Sequence, residues 1–205
     1  MGRDKGLVEA FRAGDKSAGE ELVDRHYAGV LRFFRSKAPA SAADLAQKTF
    51  LACFESLESL RDAASYRSFL YGIAFNVLRK HFRASRPDES RVDFTILSAV
   101  DLDPSPSQRL AGQDERRLLL EGLRRLPLNY QTVLELHYWE QMTAAEIAEG
   151  LELPLGTVKT WIRRGRLRLE KLISEFEGPS AALLKSTLSD LESWAGALRA
   201  SLEMG

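Results

Sequence analysis

The strongest chemical pattern in the sequence is a basic stretch between residues 154 and 172, where six basic residues stand against one acidic residue, Glu170. When this stretch is placed on a helix at 100° per residue, apolar and basic residues separate onto opposite sides. The apolar side consists of Val158, Trp161, Ile162, Leu169 and Leu172. Arginine on an exposed helix face contacts guanine edges or phosphates in the DNA major groove. The residues predicted to contact DNA are Thr157, Lys159, Thr160, Arg163, Arg164 and Arg166.

The residues before this helix predict a helix-turn-helix. The stretch TAAE at 143–146 has the form of a capping box, and the short helix that follows points Ile147 and Leu151 inward. A break near Glu152 comes next, and Pro154 opens the basic helix. This order is typical of a DNA-binding helix-turn-helix: a short helix, a tight turn and then a basic amphipathic helix that binds in the major groove. The alternative is a charged helix face that contacts only solvent.

A second candidate for nucleic-acid binding is the helix predicted over residues 68–83. Most of its circumference is apolar, and its polar residues form one narrow stripe of Gly72, Asn76, Arg79 and Arg83. Beside the stripe, Tyr66 and Tyr71 are candidates for stacking on unpaired bases, a contact worth ~1–3 kcal/mol per base. The alternative is that both aromatics belong to the core, as aromatics at helical spacing commonly do.

Composition excludes several classes of protein. Of the 205 residues, 44% are apolar and 28% are charged, so a core can form and the chain is not intrinsically disordered. The single cysteine, Cys53, excludes an intramolecular disulfide and a multi-cysteine zinc site, and the three histidines are far apart in sequence. We therefore expect no metal and no cofactor. The absence of a long apolar run and of a signal-peptide pattern predicts a soluble, cytoplasmic protein without membrane insertion.

Glycine and proline residues divide the chain into four parts. Residues 1–86 and 113–176 carry helical periodicity, and strict alternation is absent, which predicts an all-α fold of two small helical domains. Residues 87–112 contain prolines and an excess of aspartate, which predicts a flexible, mildly acidic linker. Residues 177–205 are predicted to form a C-terminal amphipathic helix.

Five stretches together resemble the extracytoplasmic-function (ECF, group 4) sigma factors of the bacterial sigma-70 family. They are DLAQKTF at 44–50, FLYGIAFN at 69–76, LP at 126–127, AEIA at 145–148 and GTVK at 156–159. The resemblance extends over about residues 7 to 175. It implies a non-catalytic protein that binds core RNA polymerase and directs it to promoter DNA for transcription initiation. Residues 1–86 would be region 2 and residues 113–176 would be region 4.

The resemblance also implies roles for particular residues. The polymerase clamp would bind Asp44, Leu45, Gln47, Lys48 and Phe50. The −10 promoter element would contact Tyr66, Asn76, Arg79 and Arg83. The helix from Pro154 would read the −35 element through the basic residues named above, and the acidic linker would thread the polymerase cleft.

The sequence departs from the family pattern around the polymerase-binding helix. Ser41, Ala43 and Lys48 occupy positions where Asp or Glu is common in the family, and only Asp44 remains. With fewer carboxylates on this helix, opposite the basic clamp of the polymerase, the chain should bind the polymerase more weakly. We hypothesise that a Ser/Thr kinase restores this charge at Ser41 or Thr49, since a phosphate adds about −1.5 to −2. The alternative is that other contacts compensate.

Two further departures lie near the C-terminus. Glu152 occupies the turn of the helix-turn-helix where the family favours glycine. Beyond residue 176 the chain continues with an acidic, heptad-like seam of Leu184, Leu188, Leu191, Ala195, Leu198 and Leu202. The notable alternatives for this extension are that it folds back on the basic helix and blocks DNA binding, that it packs on the first domain, that it contacts a regulator such as an anti-sigma factor, or that it only stabilises region 4.

Two other functions are alternatives to a sigma factor. A self-standing helix-turn-helix regulator would bind operators without polymerase, but its first domain should then be a ligand-binding or dimerisation module. An enzyme finds little support, because the sequence has no phosphate-cradling glycine loop, nucleophile elbow or clustered acid–base pair.

Overall fold

The structure is a computed structural model that describes residues 2–84, 93–102 and 114–175. These ranges are helical and contain no β-strand, which confirms the predicted all-α class. By their contacts, the residues divide into two compact units, Met1–Val92 with Ala145–Pro154, and Asp93–Ala144 with Leu155–Gly205. The predicted C-terminal helix at 177–205 lies outside the described residues. None of the described helices is both long and apolar enough to span a membrane.

Four long helices build most of the first unit: α1 (Gly2–Arg12), α2 (Lys16–Arg35), α3 (Ala42–Glu55) and α4 (Tyr66–Ala84). Short 3-10 turns at Pro39–Ser41, Leu57–Ser59 and Ala63–Ser65 connect them. The buried side chains of Leu22, Phe34, Leu45, Leu70, Leu78 and Phe82 form its core. This core fixes which faces of α3 and α4 remain available to partners.

A side chain of α1 holds the loop between α3 and α4. The Arg12 guanidinium donates from Nη2 to the Leu57 carbonyl oxygen at 2.7 Å and also to that of Leu60. At the other end of α1, the Asp4 carboxylate pairs with Arg25 at 2.9 Å and with His26 at 3.0 Å. Hydrogen bonding to His26 lowers the pKa of Asp4. These contacts fasten the first helix of the unit onto the rest.

The second unit packs α6 (Asp114–Arg124) and α7 (Leu128–Tyr138) against α9 (Leu155–Ser174). Its core cluster consists of Leu119, Leu123, Leu126, Tyr130, Leu134, Trp139, Leu169 and Ile173. The residues of α7 from Leu128 to Leu136 are all buried. The basic helix α9 is therefore fixed along its apolar side to a well-packed neighbour.

Part of the predicted linker is folded onto the start of α7. Within residues 93–102, which include the short helix α5 (Ala99–Leu102), Phe94 is buried, although the surrounding sequence is rich in aspartate. The backbone N–H of Leu128 donates to the Leu97 carbonyl at 2.9 Å, and that of Asn129 donates to the Phe94 carbonyl at 3.2 Å. Residues 93–102 thus supply acceptors for N–H groups of the first turn of α7, which have no partner inside the helix.

The helix-turn-helix residues follow the predicted order. Helix α8 (Ala144–Gly150) begins directly after Thr143, and α9 begins directly after Pro154. The turn between them is held by a 2.9 Å hydrogen bond from the Leu153 N–H to the Ala148 carbonyl. Glu152 has a φ of 55°, in the left-handed region that favours glycine. A residue with a Cβ therefore adopts the left-handed conformation at the position where the family favours glycine.

We expect Glu152→Gly to raise the free energy of unfolding by roughly 0.5–1 kcal/mol, measured by urea denaturation of the full chain. The left-handed conformation costs a residue with a Cβ about 1–2 kcal/mol, and the greater freedom of glycine in the unfolded chain offsets part of that gain. Glu149→Gly is the matched control, because it makes the same charge change within α8. This control should lower stability by about 1 kcal/mol. An equal decrease in the free energy of unfolding for both variants would contradict the prediction.

Candidate nucleic-acid interface

Helix α9 separates its apolar and basic residues as the sequence predicts. Val158 and Leu169 are buried, and Trp161, Ile162 and Leu172 pack partly buried against the core of the second unit. The opposite face consists of exposed Lys159, Arg163, Arg164 and Arg166 with half-buried Thr157 and Thr160. This face presents a concentrated positive charge of the kind that attracts a phosphate backbone.

A glycine brings the apolar side of α9 close to α7. A Cβ on Gly165 would lie 3.2 Å from the Cβ of Tyr130 and 3.3 Å from Cδ1 of Leu134, closer than ordinary van der Waals contact. Gly165 is itself buried. The close approach fixes the rotation of α9 about its axis, so that the basic face points away from the core.

The arginines of α9 differ in what they contact. Arg166 Nε lies 3.4 Å from Glu170 Oε1, and the Arg168 guanidinium carbon lies 4.8 Å from the centroid of the Tyr130 ring. Arg163 and Arg164 are exposed and form no ion pair with the described residues. These two guanidiniums are therefore the best placed on α9 to bind an external acceptor.

The polar stripe of α4 is shorter than predicted. Asn76 and Arg83 are exposed and Arg79 is half-buried, but Gly72 is buried. The Arg79 guanidinium carbon lies 5.6 Å from the centroid of the Phe75 ring. Burial lowers the pKa of Arg79, and the neighbouring charge of Arg83 adds to this effect. An arginine nevertheless stays charged in proteins, so Asn76, Arg79 and Arg83 form a short cationic ridge.

The predicted base-stacking role of Tyr66 and Tyr71 is wrong, because both rings belong to the core. Tyr66 has 0% and Tyr71 has 1% of its surface exposed. The Tyr66 ring centroid lies 5.5 Å from that of His26. Burial raises the pKa of the Tyr66 phenol and raises the pKa of the Cys53 thiol to about 12. Neither tyrosine presents a ring face to a nucleic acid.

The predicted polymerase-binding residues on α3 divide between the surface and the core. Asp44, Gln47 and Lys48 are exposed, and Lys48 Nζ lies 2.7 Å from Asp44 Oδ2. Leu45 and Phe50 are buried, so their predicted contact with a partner is corrected to a role in the core. Both side chains lie on the side of α3 that packs into the first unit.

Sequence reasoning missed Leu51, an apolar residue on the exposed face of α3. Its side chain is 60% exposed, and it lies one helical turn after Gln47 and Lys48. Tyr27 of α2 is also partly exposed and stacks on Phe50 with ring centroids 6.3 Å apart. The sequence could have placed Leu51 at the surface from its position three residues after Lys48 and four residues after Gln47, although its hydropathy favours burial.

The two predicted phosphorylation sites differ in accessibility. Thr49 is fully buried, and its hydroxyl donates to the Leu45 carbonyl at 2.8 Å. Its prediction as a kinase target is therefore wrong for the folded chain. Ser41 is half-buried at the N-cap position of α3, where its side chain makes no capping hydrogen bond. Of the two hydroxyls, only that of Ser41 lies at the surface.

Comparison with known families identifies both helical regions. Residues 22–87 match the model of Sigma-70 region 2, and residues 116–169 match that of Sigma-70, region 4. The chain belongs to the sigma-70 family and within it to the ECF sigma factors. It binds core RNA polymerase, directs promoter recognition and initiates transcription as a non-enzymatic factor.

Curated relatives of similar length support this assignment, and solved structures have a similar fold. The chain is 28% identical to the ECF RNA polymerase sigma-E factor of Haemophilus influenzae, over 83% of this chain and 95% of that relative. It is 27% identical to the ECF sigma factor SigW of Bacillus subtilis, over 83% and 97%. Its fold is similar to CnrH in complex with the cytosolic domain of CnrY, with a TM-score of 0.62 and 23% identity over 85% of this chain and 99% of that one.

A second structure with a similar fold is the sigma factor RpoE in complex with the anti-sigma factor NepR from Bartonella quintana. The TM-score is 0.58 at 16% identity, over 77% of this chain and 98% of that one. Both structural relatives were solved as complexes with a second protein. The two-domain sigma fold predicted from the sequence is thereby confirmed.

Proposed function

We propose that this ECF sigma factor reads the −35 promoter element chiefly through Arg163 and Arg164 of α9. The observation that carries the proposal is their exposure without an ion pair among the described residues, whereas Arg166 and Arg168 already contact Glu170 and Tyr130. An unengaged guanidinium donates two hydrogen bonds to one guanine edge. The other polar residues of this face, Thr157, Lys159, Thr160 and Arg166, then contact phosphates and set the register.

A randomised −35 element tests this proposal. Holoenzyme assembled from core polymerase and the full chain should transcribe preferentially from templates with guanine at fixed positions. Arg163→Ala and Arg164→Ala should each relax the preference at one position, whereas Lys171→Ala should weaken all templates alike. Unchanged base preference in both arginine variants would contradict the proposal.

We propose that the −10 element is contacted by the ridge of Asn76, Arg79 and Arg83 on α4. Two guanidiniums beside an amide provide phosphate contacts and hydrogen bonds to an unpaired base. Support comes from the exposure of Asn76 and Arg83, both in the C-terminal half of α4. With these three residues the proposed −10 contact depends on charge and hydrogen bonding and not on tyrosine stacking.

We propose that core polymerase binds the exposed face of α3, which is formed by Asp44, Gln47, Lys48 and Leu51. Protein interfaces commonly have an apolar centre with polar residues around its rim, and Leu51 among these polar side chains fits that arrangement. The proposed site of action is the cytoplasm, where this polymerase transcribes. An anti-sigma factor is a proposed regulator, since the structural relative RpoE was solved with one.

Leu51→Ala should weaken the binding of core polymerase about 5- to 10-fold, because it removes the apolar centre of this face. The affinity can be measured by fluorescence titration of the full chain with core polymerase in the absence of DNA. Leu155→Ala is the matched control, since Leu155 is also an exposed leucine but begins α9. An equal loss in both variants would contradict the assignment of α3.

Phosphorylation of Ser41 is proposed as the means of supplying negative charge to this face. The remaining carboxylate, Asp44, already pairs with Lys48 and so offers little net charge to a basic partner. A phosphate on Ser41 would add charge at the N-terminus of α3, where the helix dipole also favours an anion. Ser41→Glu should bind core polymerase more tightly than Ser41→Ala. Equal affinities of these two variants and of kinase-treated wild type would contradict regulation by this residue.

A further inference from the structure

The exposed face of α9 carries an apolar residue among its basic side chains. Leu167 is 49% exposed, although Arg164 and Lys171 lie three residues before it and four residues after it on the same face. Its isobutyl group forms no hydrogen bond with a base or a phosphate, so the proposed contact with the −35 element does not explain its exposure. Five positions spaced alternately by three and four residues form this face, which we name the α9 outer stripe: Thr157, Thr160, Arg164, Leu167 and Lys171. None of these five side chains is buried.

The sequence after α9 contains a second stripe with the same spacing. Residues 176–205 lie outside the described residues, and their apolar seam is known from the sequence as Leu184, Leu188, Leu191, Ala195, Leu198 and Leu202. Alternating spacings of four and three residues are those of one side of a coiled coil. Residues 177–205 also contain four acidic residues against two basic ones, whereas the α9 outer stripe is basic. Spacing and charge therefore make this segment complementary to the stripe.

The connection between α9 and the seam has the length of a helical hairpin. Helix α9 ends at Ser174, and Gly178 followed by Pro179 is typical of residues that end one helix and begin the next. Residues 175–179 then form the connection, and two to five residues commonly join antiparallel helices. The two stripes come into register when the hairpin is centred between Glu177 and Gly178, within one residue of the middle of this connection.

In that register the seam residues from 184 to 198 each lie opposite a residue of the α9 outer stripe. From the connection outward, the layers are Leu184 with Lys171, Leu188 with Leu167, Leu191 with Arg164, Ala195 with Thr160, and Leu198 with Thr157. One layer pairs two leucines, and the aliphatic stems of arginine and lysine cover the leucines of the layers on either side of it. Leu191 is flanked by Asp190 and Glu192, so acidic residues accompany the layer that contains Arg164.

We propose that residues 180–202 fold back as a helix on the α9 outer stripe and cover the residues that read the −35 element. The inference rests on the proposed function, because Thr157, Thr160 and Arg164 belong both to the stripe and to the −35 contact. Only one layer joins two apolar side chains, so the docked state is weak, but the short connection keeps the segment at a high effective concentration. DNA and the segment compete for one face, so the apparent DNA affinity is reduced by the docked fraction.

A pair of introduced cysteines tests the docking without DNA. Leu167→Cys with Leu188→Cys, in a Cys53→Ala background of the full chain, places two thiols in one layer, and a disulfide forms when the Cβ atoms approach to about 4 Å. In oxidised glutathione this pair should form an intramolecular disulfide about fivefold faster than Leu167→Cys with Ser189→Cys, because residue 189 is adjacent in sequence but off the seam. Equal rates of disulfide formation in the two pairs would overturn the docking.

The same disulfide tests whether docking blocks DNA. The oxidised Leu167→Cys, Leu188→Cys chain should bind a duplex of arbitrary sequence at low salt about fivefold more weakly than the same chain after reduction. Fluorescence anisotropy of the labelled duplex measures both affinities. An affinity that oxidation leaves unchanged would overturn the block.

A substitution in the seam should have the opposite effect on DNA binding. Leu188→Asp should raise the duplex affinity of the free chain about threefold, although it adds a negative charge, because it undocks the segment. Leu183→Asp is the matched control, since it makes the same change at a leucine off the seam, and it should not raise the affinity. Equal affinities of the two variants would overturn the inference. Neither the disulfide nor the duplex depends on a promoter sequence, so these results are independent of whether α9 reads bases of the −35 element.

Discussion

Replacing Arg163 and Arg164 together with alanine should reduce specific transcription from a cognate promoter about 100-fold. Each base-contacting arginine is worth ~1–3 kcal/mol, and every 1.4 kcal/mol corresponds to a factor of ten. The helix itself should persist, because its attachment depends on buried Val158 and Leu169 and on the close approach at Gly165. Run-off transcription with saturating core polymerase measures the loss.

The control for this experiment removes the same number of positive charges elsewhere. Arg3 and Arg125 are exposed arginines of α1 and of the residues after α6, and each pairs with a glutamate at the surface. The double variant Arg3→Ala with Arg125→Ala should transcribe within about twofold of wild type, because surface ion pairs contribute little. A comparable loss in both double variants would mean that total charge, and not the α9 face, decides promoter binding.

The second large effect expected is on stability, where Thr49→Glu should lower the free energy of unfolding by more than about 3 kcal/mol. The substitution places a carboxylate at a fully buried position and removes the hydrogen bond from Thr49 to the Leu45 carbonyl. A buried charge without a partner is among the few single changes that destabilise so strongly. Denaturant unfolding followed by circular dichroism measures the change.

Two variants separate the cost of the charge from the other changes at this site. Thr49→Val keeps the shape and loses only the hydroxyl, so it should cost about 1 kcal/mol. Ser41→Glu places the same carboxylate at the half-buried start of α3 and should change stability by less than about 0.5 kcal/mol. Wild-type stability in Thr49→Glu would show that this position accepts an anion and would reinstate it as a phosphorylation site.

The basic face of α9 was predictable from sequence because its chemistry is segregated along one helix. Charged residues such as Arg163 are rarely buried, so periodicity alone assigns them to the surface. The turn at Glu152 was predictable for a similar reason, since a tight turn between two helices requires a left-handed residue. Local rules suffice where the environment of a residue is decided within a few positions of the chain.

The same reasoning failed on α3 and at the start of α4. Leu45 and Phe50 lie in a stretch that resembles the family, but membership in such a stretch does not reveal on which side of a helix a side chain lies. When most of a helix is buried, an amphipathic pattern no longer distinguishes core residues from contact residues. Leu51 is the converse case, because its hydropathy favours burial while its register places it at the surface.

Contacts between residues that are distant along the chain could not be predicted from the sequence. Phe94 is buried and its carbonyl accepts a hydrogen bond from the Asn129 N–H at the start of α7, although it lies in a stretch that composition predicts to be a linker. Such pairings depend on tertiary packing, which overrides local preference.

The measurement that tests the central claim most directly compares the chain alone with the chain bound to core polymerase on one promoter. Specific transcripts should arise only when both are present, and the chain alone should show no sequence-preferring binding to the same duplex. The claim would be contradicted by tight, sequence-specific binding of the free chain to that duplex, together with no promoter-specific transcript when core polymerase is added.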